Sequence, residues 1–335
     1  MGGDQMGRFI VKRILTSIWI LFCVMFVIYT LMYLLPSNYI DTMARQLATR
    51  PGNTKSASQW LEELNAQYGM DQGLVGGFFT WLGSALRGDF GTSWRWTLPV
   101  TEKFRQVIGY SIALGTATFL LQVLIAVPLG ILAAKRQYRP TDHAITVTAM
   151  VCNALPGFFV ASVLKLVFSV KLGWFDMGGI ISTRTHAAMS PFMQIVDMGM
   201  HLVLPAATIV AVSVGSLMRY TRTNMLEALG ADYVRTARAK GLPEHRVVGH
   251  HAFRNTLIPL VTILGGSLPG LFAGALITEQ LFSIPGIGYT AYQSMIVGDI
   301  PFTMFYLSFM AVLTLLGNLI ADILYAVVDP RIRLG

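Results

Sequence analysis

The sequence predicts an all-α, polytopic membrane protein with six transmembrane helices. Composition is the first reason: 54% of the 335 residues are hydrophobic and 13% are charged, whereas soluble domains carry about a quarter of their residues as charged side chains. Run length is the second reason, because six apolar stretches reach the roughly 20 residues that a helix needs to cross a bilayer. Apolar side chains are therefore expected to face lipid as well as one another.

The first apolar stretch follows three basic residues, Arg8, Lys12 and Arg13, as a signal peptide would. Its core is longer than that of a signal peptide and no small-residue cleavage site follows, so we interpret it as a retained helix. Cys23 and Cys152 lie inside apolar stretches, where free, buried thiols are expected rather than a disulfide or a metal pair. The six predicted spans cover residues 14–40, 106–134, 144–164, 198–218, 255–278 and 300–321.

The net charge of +8 is distributed unevenly along the chain. The excess basic residues lie at the N-terminus, in the loop after the second span, in residues 219–254 and at the C-terminus. Six crossings place these zones and both termini on one side, which the positive-inside rule assigns to the cytoplasm. This placement accounts for the basic charge without nucleic acid. Residues 41–105 also carry arginines, but long external segments translocate largely regardless of charge.

Ionisable side chains near the predicted hydrocarbon region are few: Lys165, Asp197, His201, Glu279 and Asp322. A proton- or sodium-coupled transporter places carboxylates or histidines near the midplane, and these residues form no such series. Lys165 lies close to the end of its span, so we expect it to snorkel toward the surface. The sequence therefore disfavours a secondary transporter. A membrane scaffold or receptor subunit, which needs no translocation path, stays open as a third class.

Residues 41–105 form an external segment that is too long for a simple connector. The segment mixes aromatic residues, turn residues and amphipathic helical periodicity, which predicts a folded cap beside the membrane. Two roles are equally open for this cap. It docks a partner, or it only braces the first helix.

On the opposite side, residues 222–254 contain the pattern of a short, capped helix. Asp232 is a candidate N-cap for a helix over 233–240. Gly241 suits the left-handed conformation that ends a helix, and Pro243 prevents continuation. Tyr233 and Ala237 share one face of this helix because they are four residues apart. The helix is either a docking knob or a solvated loop helix whose arginines anchor to anionic lipid.

The phrase EALGADYVRTARAKGL, residues 227–242, closely resembles the cytoplasmic EAA loop of binding-protein-dependent ABC importer permeases. Its second half resembles the dipeptide, oligopeptide and nickel permease family in particular, as the first permease of the pair. Two departures are Leu229 at the third position of the EAA triplet and Ser37 after Pro36, where the family has a Leu-Pro-Gly-Asp-Pro-like turn. Further phrases in family order are YGMDQ (68–72), GDFGTS (88–93), FSVKLGW (168–174), FRNTLIP (253–259), TEQLFSIPGIG (278–288) and YAVVDPRIRLG (325–335).

The resemblance implies a type I ABC importer permease fold in the bacterial or archaeal cytoplasmic membrane. It divides the chain into the N-terminal tail and first helix (1–40), the cap (41–105), a five-helix core with the coupling loop 222–254 (106–328), and a cytoplasmic tail (329–335). The implied ATPase-coupling residues are Glu227, Ala228, Gly230, Asp232, Tyr233, Arg235, Thr236, Ala237, Arg238, Lys240, Gly241 and Leu242.

The same resemblance implies the partners: a second permease, two ATPase subunits and an extracytoplasmic substrate-binding protein. The chain has no G-x-x-x-x-G-K-[ST] phosphate loop, so ATP and Mg are expected in the ATPase subunits and no cofactor in this chain. No metal site is expected at His245, His250 and His251, because no cysteine or carboxylate set completes one.

Peptides are the substrate that the resemblance favours; nickel chelates, glutathione and oligosaccharides are the alternatives within the same family. Three polar residues within or at the ends of spans are candidates for lining the translocation path: Asn153, Ser267 and Glu279. Each is equally well placed to satisfy a neighbouring helix.

Overall fold

A computed structural model describes residues 3–34, 38–49, 51–68, 72–267, 270–273 and 275–328. Within these ranges the chain is helical, no strand forms, and the β-type contact seen there is an isolated bridge between Thr92 and Pro99. The all-α prediction is confirmed. The α-helices are α1 (Gly3–Tyr33), α2 (Asn38–Ala48), α3 (Ala57–Tyr68), α4 (Gly73–Leu86), α5 (Val100–Lys135), α6 (Pro140–Ala154), α7 (Gly157–Leu164), α8 (Pro191–Gly230), α9 (Asp232–Ala239), α10 (Glu244–Arg246), α11 (Phe253–Ser267), α12 (Gly270–Ala273), α13 (Leu276–Leu281), α14 (Ile287–Ile296) and α15 (Ile300–Val328).

Among the described residues, four helices are long and apolar enough to cross a membrane: α1, α5, α8 and α15. Two bent pairs raise the number to six if each pair counts as one span. One pair is Pro140–Ala154 with Gly157–Lys171, bent by 100°, and the other is Glu244–Leu257 with Pro259–Phe272, bent by 46°. The chain is thus a multi-pass membrane protein. The six predicted spans equal the larger of these two counts, in which each bent pair is one span.

Three predicted spans have different geometry in the structure. The fifth, predicted over residues 255–278, falls on the pair that is bent by 46°. The first helix ends at Tyr33, and Asn38 already belongs to the next helix, so the prediction of one span over residues 14–40 is wrong at its C-terminal end. The third span is sharply broken at Leu155 and Pro156. Pro156 disfavours helical backbone in the residue before it, and Leu155 accordingly has an extended ψ of 135°.

The chain divides into two compact units, and the first comprises Met1–Val107 with Thr290–Leu316. In this unit α4 packs against α1 through aromatic side chains. The Phe78 ring lies 5.3 Å from that of Phe22, 5.1 Å from Phe26 and 5.8 Å from Tyr29, and all three contacts are edge-on. The predicted cap segment is therefore folded, and one of its helices braces the first span.

A buried carboxylate, that of Asp299, fixes the turn that follows α4. It accepts hydrogen bonds from the Ser93 hydroxyl and from the backbone N–H groups of Trp94 at 3.0 Å and Arg95 at 3.2 Å. The same side chain accepts the N–H of Phe302 at 3.4 Å at the start of α15. Asp299 thus caps α15 and ties the end of the external segment to it.

The second unit comprises Ile108–Tyr289 with Gly317–Gly335. Its long helices approach closely at glycines, as is common where helices pack in lipid. A Cβ on Gly130 of α5 would lie 2.6 Å from the Thr221 side chain, and one on Gly215 of α8 would lie 2.5 Å from the carbonyl oxygen of Ala149. These two positions set the crossings of α8 with α5 and α6.

Both cysteines are free thiols, as predicted. Cys152 is partly buried, whereas Cys23 is exposed on α1. The prediction that both are buried is therefore wrong for Cys23, because no described helix covers its side of α1.

Candidate coupling site

The candidate coupling helix α9 is carried by the long helix α8. With 40 residues, α8 is about twice as long as a membrane span requires, so its C-terminal end extends by roughly 18 Å beyond the predicted span. The chain then turns at Ala231 and continues directly into α9, which has eight residues. A rigid helix thus connects the membrane region to a short helix at its end.

The start of α9 differs from the prediction. The residue with N-cap geometry is Ala231, with φ −73° and ψ 150°, and Asp232 is the first helical residue. The prediction of Asp232 as the N-cap is therefore wrong by one position. An acidic side chain in the first turn still interacts favourably with the positive end of the helix dipole.

The end of α9 has the predicted left-handed glycine. Gly241 has φ +72°, and its N–H donates to the carbonyl of Arg238 at 3.0 Å. The N–H of Leu242 donates to the carbonyl of Ala237 at 3.4 Å. This pair of bonds is the Schellman motif, which satisfies carbonyl groups that a helix end leaves without a partner. The stop is therefore defined by local sequence.

One face of α9 is anchored on a small apolar cluster. Val234 is fully buried and Ala237 almost so, and Leu242 packs against them. The remaining buried members come from the ends of α5 and α8 and from the π-helix Val247–Ala252: Ala134, Met225, Ala228, Val247, Val248 and Ala252. This anchor fixes the orientation of α9 on the end of α8.

Val234 was not among the predicted residues. The prediction placed Tyr233 on the face of Ala237, but Tyr233 is 41% exposed and the buried pair is Val234 with Ala237. Spacing alone left both pairs possible. The signal that distinguishes the two pairs is that Val234 is apolar, whereas its neighbours Tyr233 and Arg235 carry polar groups.

The other face of α9 presents polar and charged side chains. Asp232, Tyr233 and Arg235 are exposed there. The guanidinium of Arg238 contacts the Glu244 carboxylate at 3.0 Å and 3.3 Å, and this hydrogen bonding raises the pKa of Arg238 above its usual value. The remaining predicted coupling residues are exposed at Glu227, Gly230, Thr236, Lys240 and Gly241, and buried at Ala228.

An ion pair holds α8 where it approaches α9. Arg222 donates from Nε to Oδ1 and from Nη2 to Oδ2 of Asp142, both at 2.7 Å. Asp142 also accepts the backbone N–H of Tyr138 at 3.0 Å. Bidentate pairing of this kind fixes direction as well as distance. Sequence reasoning did not find this pair, because its members are 80 residues apart.

Glu279, a candidate path residue, is completely buried within the chain. Its carboxylate accepts hydrogen bonds from the Ser111 hydroxyl at 2.7 Å and from the N–H groups of Ala275 at 3.2 Å and Tyr289 at 2.8 Å. A Cβ on Gly286 would lie 2.5 Å from this carboxylate and from the Ser111 oxygen. The geometry favours the alternative role of satisfying neighbouring segments.

The other two candidate path residues are exposed. Asn153 accepts a hydrogen bond from the Ser216 hydroxyl at 3.2 Å, which links α6 to α8. The Ser267 hydroxyl donates to the carbonyl of Leu264, within its own helix, at 2.8 Å. Both side chains therefore have partners within the chain and retain accessible surface.

Lys165, for which we predict an orientation toward the membrane surface, has partners within the chain. It begins the π-helix Lys165–Lys171, and its Nζ donates to the carbonyl of Leu281 at 2.6 Å. The ammonium group also lies 5.4 Å from the centre of the Phe282 ring. Lys165 thus satisfies a carbonyl at the C-terminal end of α13, which is a structural reason for a lysine inside an apolar stretch.

The histidines near α9 lie on the π-helix and beside it. The rings of His250 and His251 meet edge to face with centroids 5.3 Å apart, and His245 is exposed. Within the described part of the chain, no three His, Cys, Asp or Glu side chains are grouped as a metal site.

Comparison with known proteins assigns this arrangement to a family. Residues 126–334 match the family model of the binding-protein-dependent transport system inner membrane component. Residues 6–95 match the model for the N-terminal part of such membrane components. The first match alone covers more than half of the chain. The chain belongs to this family.

Individual relatives of this permease align over nearly its whole length. The oligopeptide transport system permease protein AppB of Bacillus subtilis is 37% identical over 98% of this chain and 100% of its own. A putative peptide permease protein of Brucella ovis is 32% identical over 98% and 99% of the two chains. A probable peptide ABC transporter permease protein of Sinorhizobium fredii is 30% identical over 98% and 100%. The protein is thus a transport subunit of the inner-membrane class.

Proposed function

We propose that this permease forms half of the translocation path of an ATP-driven peptide importer and couples to separate ATPase subunits through α9. The geometry of α9 carries the proposal. The helix is capped at its C-terminal end, anchored by Val234 and Ala237, and joined directly to a 40-residue helix. Its outer face is exposed and can bind a partner, and the names of three relatives contain the words peptide or oligopeptide.

In the proposed assembly, this permease has four kinds of partner. A second permease completes the path, two ATPase subunits bind the coupling helices, a substrate-binding protein delivers peptide from outside, and the bilayer surrounds the spans. Both termini and α9 lie on the cytoplasmic side, as the distribution of basic residues suggests. ATP and Mg bind in the ATPase subunits, since this sequence has no phosphate loop.

In the proposed mechanism, α9 transmits conformational changes of the ATPase subunits to the membrane helices. ATP shifts the importer between inward-open and outward-open states only if the assembly binds ATP with different affinity in the two states. Movement of the ATPase displaces α9. Because one face of α9 is buried against the end of α8, the two helices move together. The Arg222–Asp142 pair passes the same movement from α8 to α6.

Two of the polar candidates, Asn153 and Ser267, retain exposed surface that a path requires. Glu279 has none, so we assign it to the scaffold. The peptide selectivity of the importer then depends on the binding protein and on path surfaces that include the second permease.

Mass spectrometry of the gently purified, tagged chain tests this function. Co-purification of a second permease, of ATPase subunits and of a binding protein loaded with peptides is the expected result. Recovery of the chain without any ATPase, from membranes in which it is active in uptake, would contradict the coupling role. A binding protein loaded with a nickel chelate, glutathione or an oligosaccharide would retain the coupling role and replace peptide as the substrate.

A further inference from the structure

Helix α4 is an unusual element for a segment outside the membrane. Its sequence, GLVGGFFTWLGSAL, has no charged residue over 14 residues. At 1.5 Å per residue it is about 21 Å long, which is too short to cross a hydrocarbon layer of about 30 Å. A chain that enters the membrane with such a helix must leave it on the same side.

The contacts of α4 with α1 indicate the depth of α4 relative to the membrane. Between the last charge before the span, Arg13, and the end of α1 at Tyr33 there are about 20 residues, just enough to cross the hydrocarbon. All of this stretch must therefore lie in the bilayer if α1 spans it. Phe22, near the middle of the stretch, contacts Phe78 at 5.3 Å and Phe79 at 6.3 Å. The aromatic residues of α4 thus reach the depth of the membrane interior.

The exposed apolar side chains of α4 lie beside exposed apolar side chains of α1. Phe79 is 56% exposed, and Val75 and Leu86 on the same helix are exposed as well. On α1, Trp19 is 65% exposed and stacks on Phe22 at 5.7 Å, which in turn contacts Phe79. Exposed apolar side chains of the two helices therefore adjoin one another through Phe22 and Phe79, and those on α1 lie at the level of the bilayer if α1 spans it.

The ends of α4 show where the chain returns to water. Arg87 directly follows the helix and is exposed, beside Leu86. A cation at the C-terminal end of a helix is favourable for the helix dipole and suits the phosphate level of the bilayer. Upstream, α3 carries exposed carboxylates at Glu62 and Glu63, which belong in water. The apolar part between these flanks is α4 alone.

We propose that α4 is a re-entrant helix, inserted into the leaflet that surrounds the C-terminal half of α1, and that lipid acyl chains cover Val75, Phe79 and Leu86. The external segment is then anchored in the membrane rather than resting on its surface. The proposal depends on α1 spanning the bilayer and is independent of the coupling role of α9.

Spin labels at single cysteines test the depth of α4. The permease, with the subunits that co-purify with it, is placed in lipid nanodiscs after replacement of Cys152 by serine. The native, exposed Cys23 serves as the reference inside the membrane. Two further variants also lack Cys23. A label at Phe79→Cys measures the environment of α4, and a label at Glu62→Cys provides the reference in water. Collision with oxygen and with a water-soluble nickel complex is measured by electron paramagnetic resonance.

The expected ratio of oxygen to nickel collisions at residue 79 is close to that at residue 23 and several-fold above that at residue 62. A ratio equal to that at residue 62 would place α4 in water and overturn the proposal. Low collision with both reagents at residue 79 would show a protein partner on this face and would also overturn it. Retained uptake by the Phe79→Cys variant verifies that the labelled protein is assembled.

Discussion

Two segments of this permease resemble family phrases, yet they place their charged side chains in opposite ways. In residues 227–242, the charges surround a small apolar anchor and point outward, with Arg235 and Asp232 exposed. In residues 275–289, the carboxylate of Glu279 is buried and accepts hydrogen bonds from Ser111, Ala275 and Tyr289. The first segment has a surface available to a partner, and the second has its charge enclosed by its own chain.

The difference shows that a family phrase does not by itself distinguish a contact surface from a scaffold. A buried carboxylate with three donors stabilises the segments that supply them, and removing it leaves those donors without partners. An exposed charge contributes little to folding and is available for binding. Variants in the two segments should therefore separate into those that unfold the permease and those that fold normally and fail to transport.

Glu279→Gln should have the largest effect on stability. The amide NH2 group would face donors that now bond to a carboxylate oxygen, so we expect a loss of about 2–3 kcal/mol in the free energy of unfolding. Thermal unfolding of the purified permease and its folded yield measure this loss. Glu62→Gln, at an exposed carboxylate on α3, is the matched control and should leave both unchanged. A Glu279→Gln protein of normal stability that fails only in transport would instead place Glu279 in the path.

Gly241→Val should have the next largest effect, on coupling more than on folding. A β-branched residue in the left-handed conformation costs about 1–2 kcal/mol, which destabilises the end of α9. Apart from the adjacent residues, no atom in the described part of the chain lies within 4 Å of a Cβ at this position, so within the chain the expected defect comes from backbone strain. ATPase activity in proteoliposomes should persist while peptide uptake falls.

Gly241→Asn is the control for that experiment, because asparagine tolerates the left-handed region far better than valine. It should retain most of the uptake. Equal loss in both variants would mean that the glycine is needed for close contact with a partner. Normal uptake by the valine variant would contradict the coupling role of the α9 terminus.

Arg238→Gln should have the smallest effect on folding. Its ion pair with Glu244 is partly exposed, and such pairs contribute about 0.2–1 kcal/mol. The melting temperature should change little, and high salt should reduce the difference from the wild type further. A large drop in melting temperature would show that α9 belongs, like Glu279, to the scaffold.

Much of the fold follows from the lengths of apolar runs. Four of the spans, the all-α class and the C-terminal stop of α9 were predictable because each depends on local composition or on one glycine. The 100° break at Leu155 and Pro156 was not predictable in size. Proline marks a possible kink, but the angle depends on what the two arms pack against.

The long-range polar contacts were the least predictable part. Asp142 pairs with Arg222 and Glu279 with Ser111 across many residues, and a sequence alone gives no distance between them. Asp299 is different, since an aspartate followed by Ile300 and Pro301 is a local helix-start signal. The proposed insertion of α4 was not predicted, because its 14 uncharged residues are fewer than a span requires.

Photo-crosslinking at Tyr233 tests the central claim, that α9 is the docking surface for an ATPase, most directly. A benzophenone amino acid replaces the exposed Tyr233 in cells, and a second variant carries it at Trp174, an exposed aromatic residue outside the coupling segment. The account predicts a crosslinked ATPase from residue 233, in an amount that changes with ATP, and none from residue 174. No ATPase adduct at residue 233, in protein that is inserted and active in uptake, would contradict it.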